Sequence, residues 1–364
     1  MEGQNDGMSP PMRQVLPSRC GAGLCLAASL WVATVEGETH DLYNPDWSIR
    51  IWPEGYSDVA LDQRPNFSIS YREYLSGEWG TAVSYTQGTT VTSPTWLCPD
   101  WIFPSWTTNS NFQVTQPIQP TLDSPNADGF EVVDSVIANP DLEITIRNEM
   151  VNPGGVAQGM VPAGDPGPGN QITSSPCAFR QTFRIKNISG SPLSGVRFFK
   201  FLHGYRSTSC TYDDRDYGGP LGEFHYDITQ QGPDYGWGEN GYRYKHIDTI
   251  TLHARRAPSA VECGYYGNSQ VDGHGNEDGK PSVGVHWSVE ADSLDGTDYF
   301  APPEGEWVGG AMRFDLPDLA VDAEEEVVVL FSIHTQTIIQ GVQVRIVDLV
   351  NNGDSGYVDF QQTQ

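Results

Sequence analysis

Positive charge is what this chain has least of. Its 364 residues carry 20 Lys and Arg against 47 Asp and Glu, a formal net charge of −27. So acidic a molecule repels polyanions, which excludes DNA, RNA and anionic lipid as its main partners. Solubility in a salty or extracellular medium is the simpler reading of the charge; neutralisation by bound Ca²⁺ is the other. Helix-forming runs of Ala, Leu, Glu and Lys are also missing. No segment sustains an apolar stripe of helical period, which excludes a helical bundle. There is no CxxC or CxxCH pattern, so zinc knuckles and haem attachment fall away. Neither a G-x-S-x-G elbow nor an HExxH helix occurs, and no Gly-rich turn stands between a strand and a helix. No repeat of fixed period is visible.

The chain is instead rich in Gly (39) and Pro (26), with 11% aromatic and only 18% charged residues. That composition, with short alternating segments, predicts an all-β fold: an antiparallel β-sandwich with long irregular loops, either one large sandwich or two packed sandwich domains. The clearest segment is Phe179 to Gly204. Phe179, Gln181, Phe183 and Ile185 alternate with Arg180, Thr182, Arg184 and Lys186, the period of a strand with one buried face. A connector with Gly190, Pro192 and Gly195 follows, then the Phe-rich run Val196 to Leu202, which reads as buried on both faces. Two strands on a short loop predict an antiparallel hairpin at the centre of the core.

Further strands are predicted at Ser48–Trp52, Phe67–Tyr71, Thr81–Tyr85, Thr89–Thr92, Phe130–Ala138, Leu142–Met150, His246–His253, Ser282–Glu290, Met312–Leu316 and Val327–His334, with Gly341–Val350 closing the sheet. Ser207 to Tyr244 reads as a long irregular loop. Gly and Pro crowd residues 151–176, a linker or long loop between an N-terminal β region (38–150) and a C-terminal β-sandwich region (177–364).

The N-terminus reads as an address. Arg13 and Arg19 precede the apolar run Cys20 to Ala33, followed by Val35, Glu36 and Gly37, the layout of a secretory signal over residues 1–37 with a true start near Met12. The run is too short to span a bilayer, and no later segment is apolar enough to do so. The expected location is therefore secreted, extracellular or periplasmic. Of six cysteines, Cys20 and Cys25 leave with the signal. Cys98, Cys177, Cys210 and Cys263 remain, an even number for an oxidising compartment. A hairpin over Phe179–Gly204 would bring its ends together, which predicts Cys177–Cys210 and leaves Cys98–Cys263.

Three regions could carry chemistry. Asp213, Asp214 and Asp216 lie within four residues of each other and could supply oxygen ligands to Ca²⁺. With Glu223 they could also furnish the paired carboxyls of glycoside cleavage. A solvated acidic turn accounts for them more simply. Asp272 to Gly279 resembles part of a calcium loop, but His274 takes a ligand place and the closing Glu is missing. Trp96, Trp101 and Trp106 in one loop, with Tyr212, Trp237 and Tyr242 further on, could form flat platforms for sugar rings. Packing of these rings onto the sheet is the simpler reading. The histidines are scattered. Asn66-Phe-Ser and Asn187-Ile-Ser fit the glycosylation sequon.

The expected function is a secreted, non-catalytic protein that binds or scaffolds at a cell surface or in a matrix, with a glycan or cell-surface partner. Two alternatives are a glycan hydrolase or lyase using the loop carboxylates and a filament subunit pairing through an exposed strand edge.

Overall fold

A computed structural model of the chain describes residues 39–43, 47–61, 73–97, 112–120, 125–151, 171–174, 178–204, 209–213, 226–237, 242–265, 284–294 and 308–342. All belong to one compact unit, Val35–Gln364. The described strands form two antiparallel sheets. Sheet A holds β1 (His40–Tyr43), β2 (Trp47–Ile51), β3 (Ser57–Leu61), β4 (Glu73–Trp79), β5 (Thr81–Gln87), β6 (Thr90–Trp96), β12 (Leu193–Gly204), β16 (Ala260–Tyr265) and β17 (Val308–Asp315). Sheet B holds β7 (Gln113–Pro120), β8 (Val132–Ala138), β9 (Leu142–Val151), β10 (Gln171–Ser174), β11 (Ala178–Asn187), β13 (Ser209–Asp213), β14 (Tyr226–Trp237), β15 (Tyr242–Ala254) and β18 (Glu324–Val342). Strands from before residue 151 and after residue 177 pair within both sheets: β5 with β12, and β9 with β11. The expected all-β sandwich is the fold observed.

The two strands of Phe179–Gly204 are central, but they are not a hairpin. β11 lies in sheet B between β9 and β18, while β12 lies in sheet A against β4, β5 and β17. The chain arches from one sheet to the other. A hairpin would turn both apolar faces the same way; the arch sets them against each other across the sandwich. Phe183 of β11 meets Phe198 of β12 with ring centroids 4.8 Å apart, and Phe198 meets Phe314 of β17 at 6.3 Å. Phe179, Phe183, Phe198 and Phe314 are all fully buried in one cluster fed by both sheets. Each such side chain contributes roughly 1.5–3 kcal/mol by leaving water. The cationic edge of β11 turns outward and meets acids on its neighbours: Arg180 pairs with Glu149 of β9 at 2.7 Å and Arg184 with Glu326 of β18 at 3.2 Å.

Asn187 holds the arch. Its amide donates to the carbonyls of Ser191, Leu319 and Ala320, and its oxygen accepts from the Ser189 N–H and hydroxyl. The side chain is fully buried, so the amide nitrogen of the second sequon is taken up inside the fold. Between the sheets, Lys200 is also fully buried; its Nζ donates to Gln181 Oε1 at 2.7 Å and Thr81 Oγ1 at 3.1 Å. Burial holds its pKa well below the usual lysine range.

Two other segments differ from expectation. Ser282–Glu290, predicted as a strand, contains the short helix α1 (Val285–Glu290). Val285 and Val289 satisfy period two, but they also stand at i and i+4, one helical face. Both are fully buried with Trp96, Phe199 and Phe201 on the outer face of sheet A, and that docking decides between the periods. Ser207–Tyr244, predicted as irregular, supplies β13 and β14; β14 pairs with β15 along its whole length. Phe67–Tyr71, residues 343–350 and the signal region lie outside the described residues.

Candidate functional site

Strands β14, β15 and β18 are neighbours in sheet B. Ile228, Ile250, Leu252, Ala254, Val327, Val329 and Phe331 point into the main core. The alternate residues Asp227, Thr251, His253 and Ser332 therefore line the opposite face. They are buried all the same: His253 is 0% exposed, Asp227 1% and Ser332 2%. His253 Nδ1 lies 2.5 Å from Asp227 Oδ1, and its Nε2 lies 2.9 Å from Ser332 Oγ. With a neutral imidazole, the carboxylate selects the tautomer: Nδ1–H donates to Asp227, and Nε2 accepts from the Ser332 hydroxyl. Asp227 Oδ2 has no hydrogen-bond partner and is buried. One row along, the hydroxyls of Thr229 and Thr251 lie 3.2 Å apart.

An oriented imidazole against a serine hydroxyl is the arrangement by which acyl-transfer enzymes raise a nucleophile. Here Ser332 lies within a strand and all three groups are sealed from solvent. In this geometry the row braces β14, β15 and β18 to one another through buried polar contacts, each strengthened by the low local dielectric.

A second polar cluster sits under α1. Trp96 stacks on His286, with ring centroids 4.7 Å apart and planes at 4°, and meets Phe201 edge-on at 5.7 Å. Trp96 Nε1 donates to Glu290 Oε1 at 3.2 Å. Burial, reinforced by nearby His203, pushes the His286 pKa down to about 3, so the ring that stacks is neutral at pH 7. Burial raises the Glu290 pKa, and the Trp96 hydrogen bond opposes that rise.

The residues nominated from sequence fall as follows. Trp96 is 2% exposed and belongs to the packing around α1, so it is not an exposed platform. Tyr212 is half-buried against the main core. Asp213 ends β13 and lies opposite Asp227 in the register, beside the Asp–His–Ser row. Trp237 and Tyr242 end β14 and begin β15 at the other end of that hairpin, with Trp237 opposite Arg243. Trp237 stands ten positions along β14 from Asp227, about 34 Å along an extended strand. Trp101, Trp106, Asp214, Asp216, Glu223, Cys98, Cys177 and residues 272–279 lie outside the described residues. Among the described residues no group of three His, Cys, Asp or Glu is placed to hold a metal ion.

Cys210 Sγ lies 2.8 Å from that of Cys263, while Cys177 is outside the described residues. The Cys177–Cys210 expectation rested on a hairpin whose ends meet; β11 and β12 form an arch between the sheets instead, which removes that ground.

Sequence reasoning missed Asp227, His253 and Ser332. The one available signal was Ser332 inside the apolar run Val327–Ile333; Asp227 and His253 sit in segments of mixed polarity that do not single them out. Nothing in their sequence order says that these strands adjoin.

No family model matches the chain, and no curated protein matches it. Among solved structures, one titled putative kojibiose phosphorylase from human microbiome is similar over 81% of this chain, at 7% identity and a TM-score of 0.33. The match takes in 30% of that protein's own length. So loose a likeness assigns no activity.

Proposed function

We propose that this is an exported, non-catalytic β-sandwich protein that binds or scaffolds at a cell surface or in a matrix, with glycans as the ligand class to test first. The observation that supports this reading is how the described reactive side chains are used. Trp96 and His286 stack beneath α1, Lys200 is tied to Gln181 and Thr81 between the sheets, and His253 joins Asp227 to Ser332. Groups that elsewhere do chemistry here hold a rigid body together. A strongly acidic exterior keeps such a body soluble outside the cell. Glycan-array binding with no released reducing sugar supports the reading, and sugar release overturns it. Trp237→Ala and Tyr242→Ala should weaken any binding that uses the far end of β14 and β15. A rise in melting temperature at millimolar Ca²⁺ would assign the acidic stretch after Asp213 to ion binding.

A hydrolase is the second reading, and the Asp227–His253–Ser332 geometry favours it. Ser332 Oγ would attack an acyl carbon while His253 Nε2 takes its proton. Treatment of the native protein with a fluorophosphonate separates the two. An adduct on Ser332 that disappears in His253→Ala supports the hydrolase; an unlabelled native protein supports the brace.

A further inference from the structure

The two sheets pinch together beside β13. Cα atoms of β13, in sheet B, come within 8 Å of those of β16 and β17, in sheet A. Packed sheets usually stand about 10 Å apart. Glycine permits the approach. Gly310 of β17 lies opposite Cys263 of β16, and a Cβ on it would stand 2.5 Å from Ile228 Cγ2 and 3.0 Å from Cys210 Sγ. No side chain fits there, so β13 and β14 settle directly onto the β17 backbone.

Cys210 and Cys263 meet in this pinch. Their sulfur atoms are 2.8 Å apart, and the residues are 0% and 1% exposed within the main core. Gln230, opposite Cys210 in the register, keeps the sulfur in place. Its Nε2 donates to Leu202 O at 2.9 Å and reaches Cys210 Sγ at 3.6 Å, while its Oε1 accepts from Gly204 N at 2.8 Å. A disulfide needs Cα atoms about 4.4–6.8 Å apart. Facing sheets come near that spacing only where they are drawn together, and β13 approaches β16 to within 8 Å between Cα atoms.

We propose that Cys210 and Cys263 form a disulfide that joins the two sheets. It arises by thiol–disulfide exchange with an oxidised dithiol or a small-molecule disulfide. One cysteine thiolate displaces one donor sulfur, giving a mixed disulfide, and the second cysteine thiolate displaces the other. Two electrons pass to the donor, which leaves as two thiols carrying the two protons. Both sulfurs are inaccessible in the folded chain, so exchange precedes closure of the pinch during folding. Once the sheets have closed, the bond is shielded from reductants. The inference rests on packing and not on the proposed function, and it replaces the Cys177–Cys210 pairing with one between the sheets.

The test is peptide mapping of the full chain, refolded in a glutathione redox buffer and digested without reductant. A linked pair containing Cys210 and Cys263 is the expected product. Linkage of either to Cys98 or Cys177, or recovery of both as alkylated thiols, overturns the proposal. Stability gives a second readout that does not depend on a variant folding. The cysteines are 53 residues apart, and a loop of that size makes reduction raise the unfolding equilibrium constant roughly a thousand-fold. Urea unfolding should therefore begin at lower urea after reduction in denaturant and refolding with reductant present. The folded oxidised protein should resist the same reductant without denaturant. Identical unfolding curves with and without reductant count against the bond.

Discussion

Replacing Asn187 tests the arch directly. Its amide makes contacts of 3.0, 2.9 and 3.1 Å to the carbonyls of Ser191, Leu319 and Ala320. Its oxygen accepts from Ser189 N at 2.9 Å and Ser189 Oγ at 2.8 Å. Asn187→Ala removes all of these. The carbonyls lose less than the count implies. Leu319 O still accepts from Leu193 N, and Ala320 O from Ala323 N. Ser189 N still donates to Asp141 O at 3.2 Å, and the Ser189 hydroxyl to Ser191 O at 2.7 Å. Taking two donor and two acceptor bonds at about 1 kcal/mol net each, with every partner keeping another bond, the loss is about 2–3 kcal/mol. That is a large part of a typical domain stability of roughly 5–15 kcal/mol.

Asn187→Asp discriminates further. It keeps nearly the same shape and the acceptor toward Ser189, but turns a second oxygen toward three carbonyl oxygens in a buried site. Repulsion and the burial of charge make it worse than Ala, although it is the closer isostere. Urea unfolding followed by tryptophan fluorescence measures both, at an unchanged denaturant slope. An Asp variant as stable as the Ala variant, or an Ala variant within about 1 kcal/mol of the parent, would refute the clamp.

Lys200 gives a pH signature. Burial depresses its folded pKa, so below the unfolded value of about 10.4 the unfolded chain binds a proton that the folded one refuses. Stability from this group is full above that value and falls with falling pH until the folded pKa is passed, by at most about 1.4 kcal/mol per unit. Lys200→Met should lack this slope, and a parent–variant difference that stays flat with pH would mean that Lys200 is charged in the fold. Gly310→Ala should destabilise by about 1–3 kcal/mol, because the added methyl meets Ile228 and Cys210; an unchanged melting temperature would mean that the sheets do not pinch there. Trp96→Phe keeps an aromatic ring against His286 but removes the bond that lowers the Glu290 pKa, so Glu290 should titrate at higher pH in the variant, as followed by carboxyl NMR shifts.

Much of the β structure was legible in the chain. The alternation of Phe179 to Lys186 names both faces of β11, and the turn at Gln87-Gly88 places β5 and β6. A period of two states which way side chains point relative to their own strand; it does not state which sheet the strand joins. That is why the connector after Asn187 reads as a hairpin and folds as an arch. The same limit hid the Asp–His–Ser row, whose members lie 26 and 79 residues apart.

The sequence by itself determined that this chain is an acidic all-β protein with Phe179–Gly204 at the centre of its core, because composition and period are local properties. Only the tertiary structure decided that β11 and β12 face each other from opposite sheets, that Val285–Glu290 winds into a helix, and that Cys210 meets Cys263. Each of those outcomes depends on which apolar face is available to cover another. That is settled by contacts between segments far apart in the chain, where closing the right pair of faces outweighs the local preference of either.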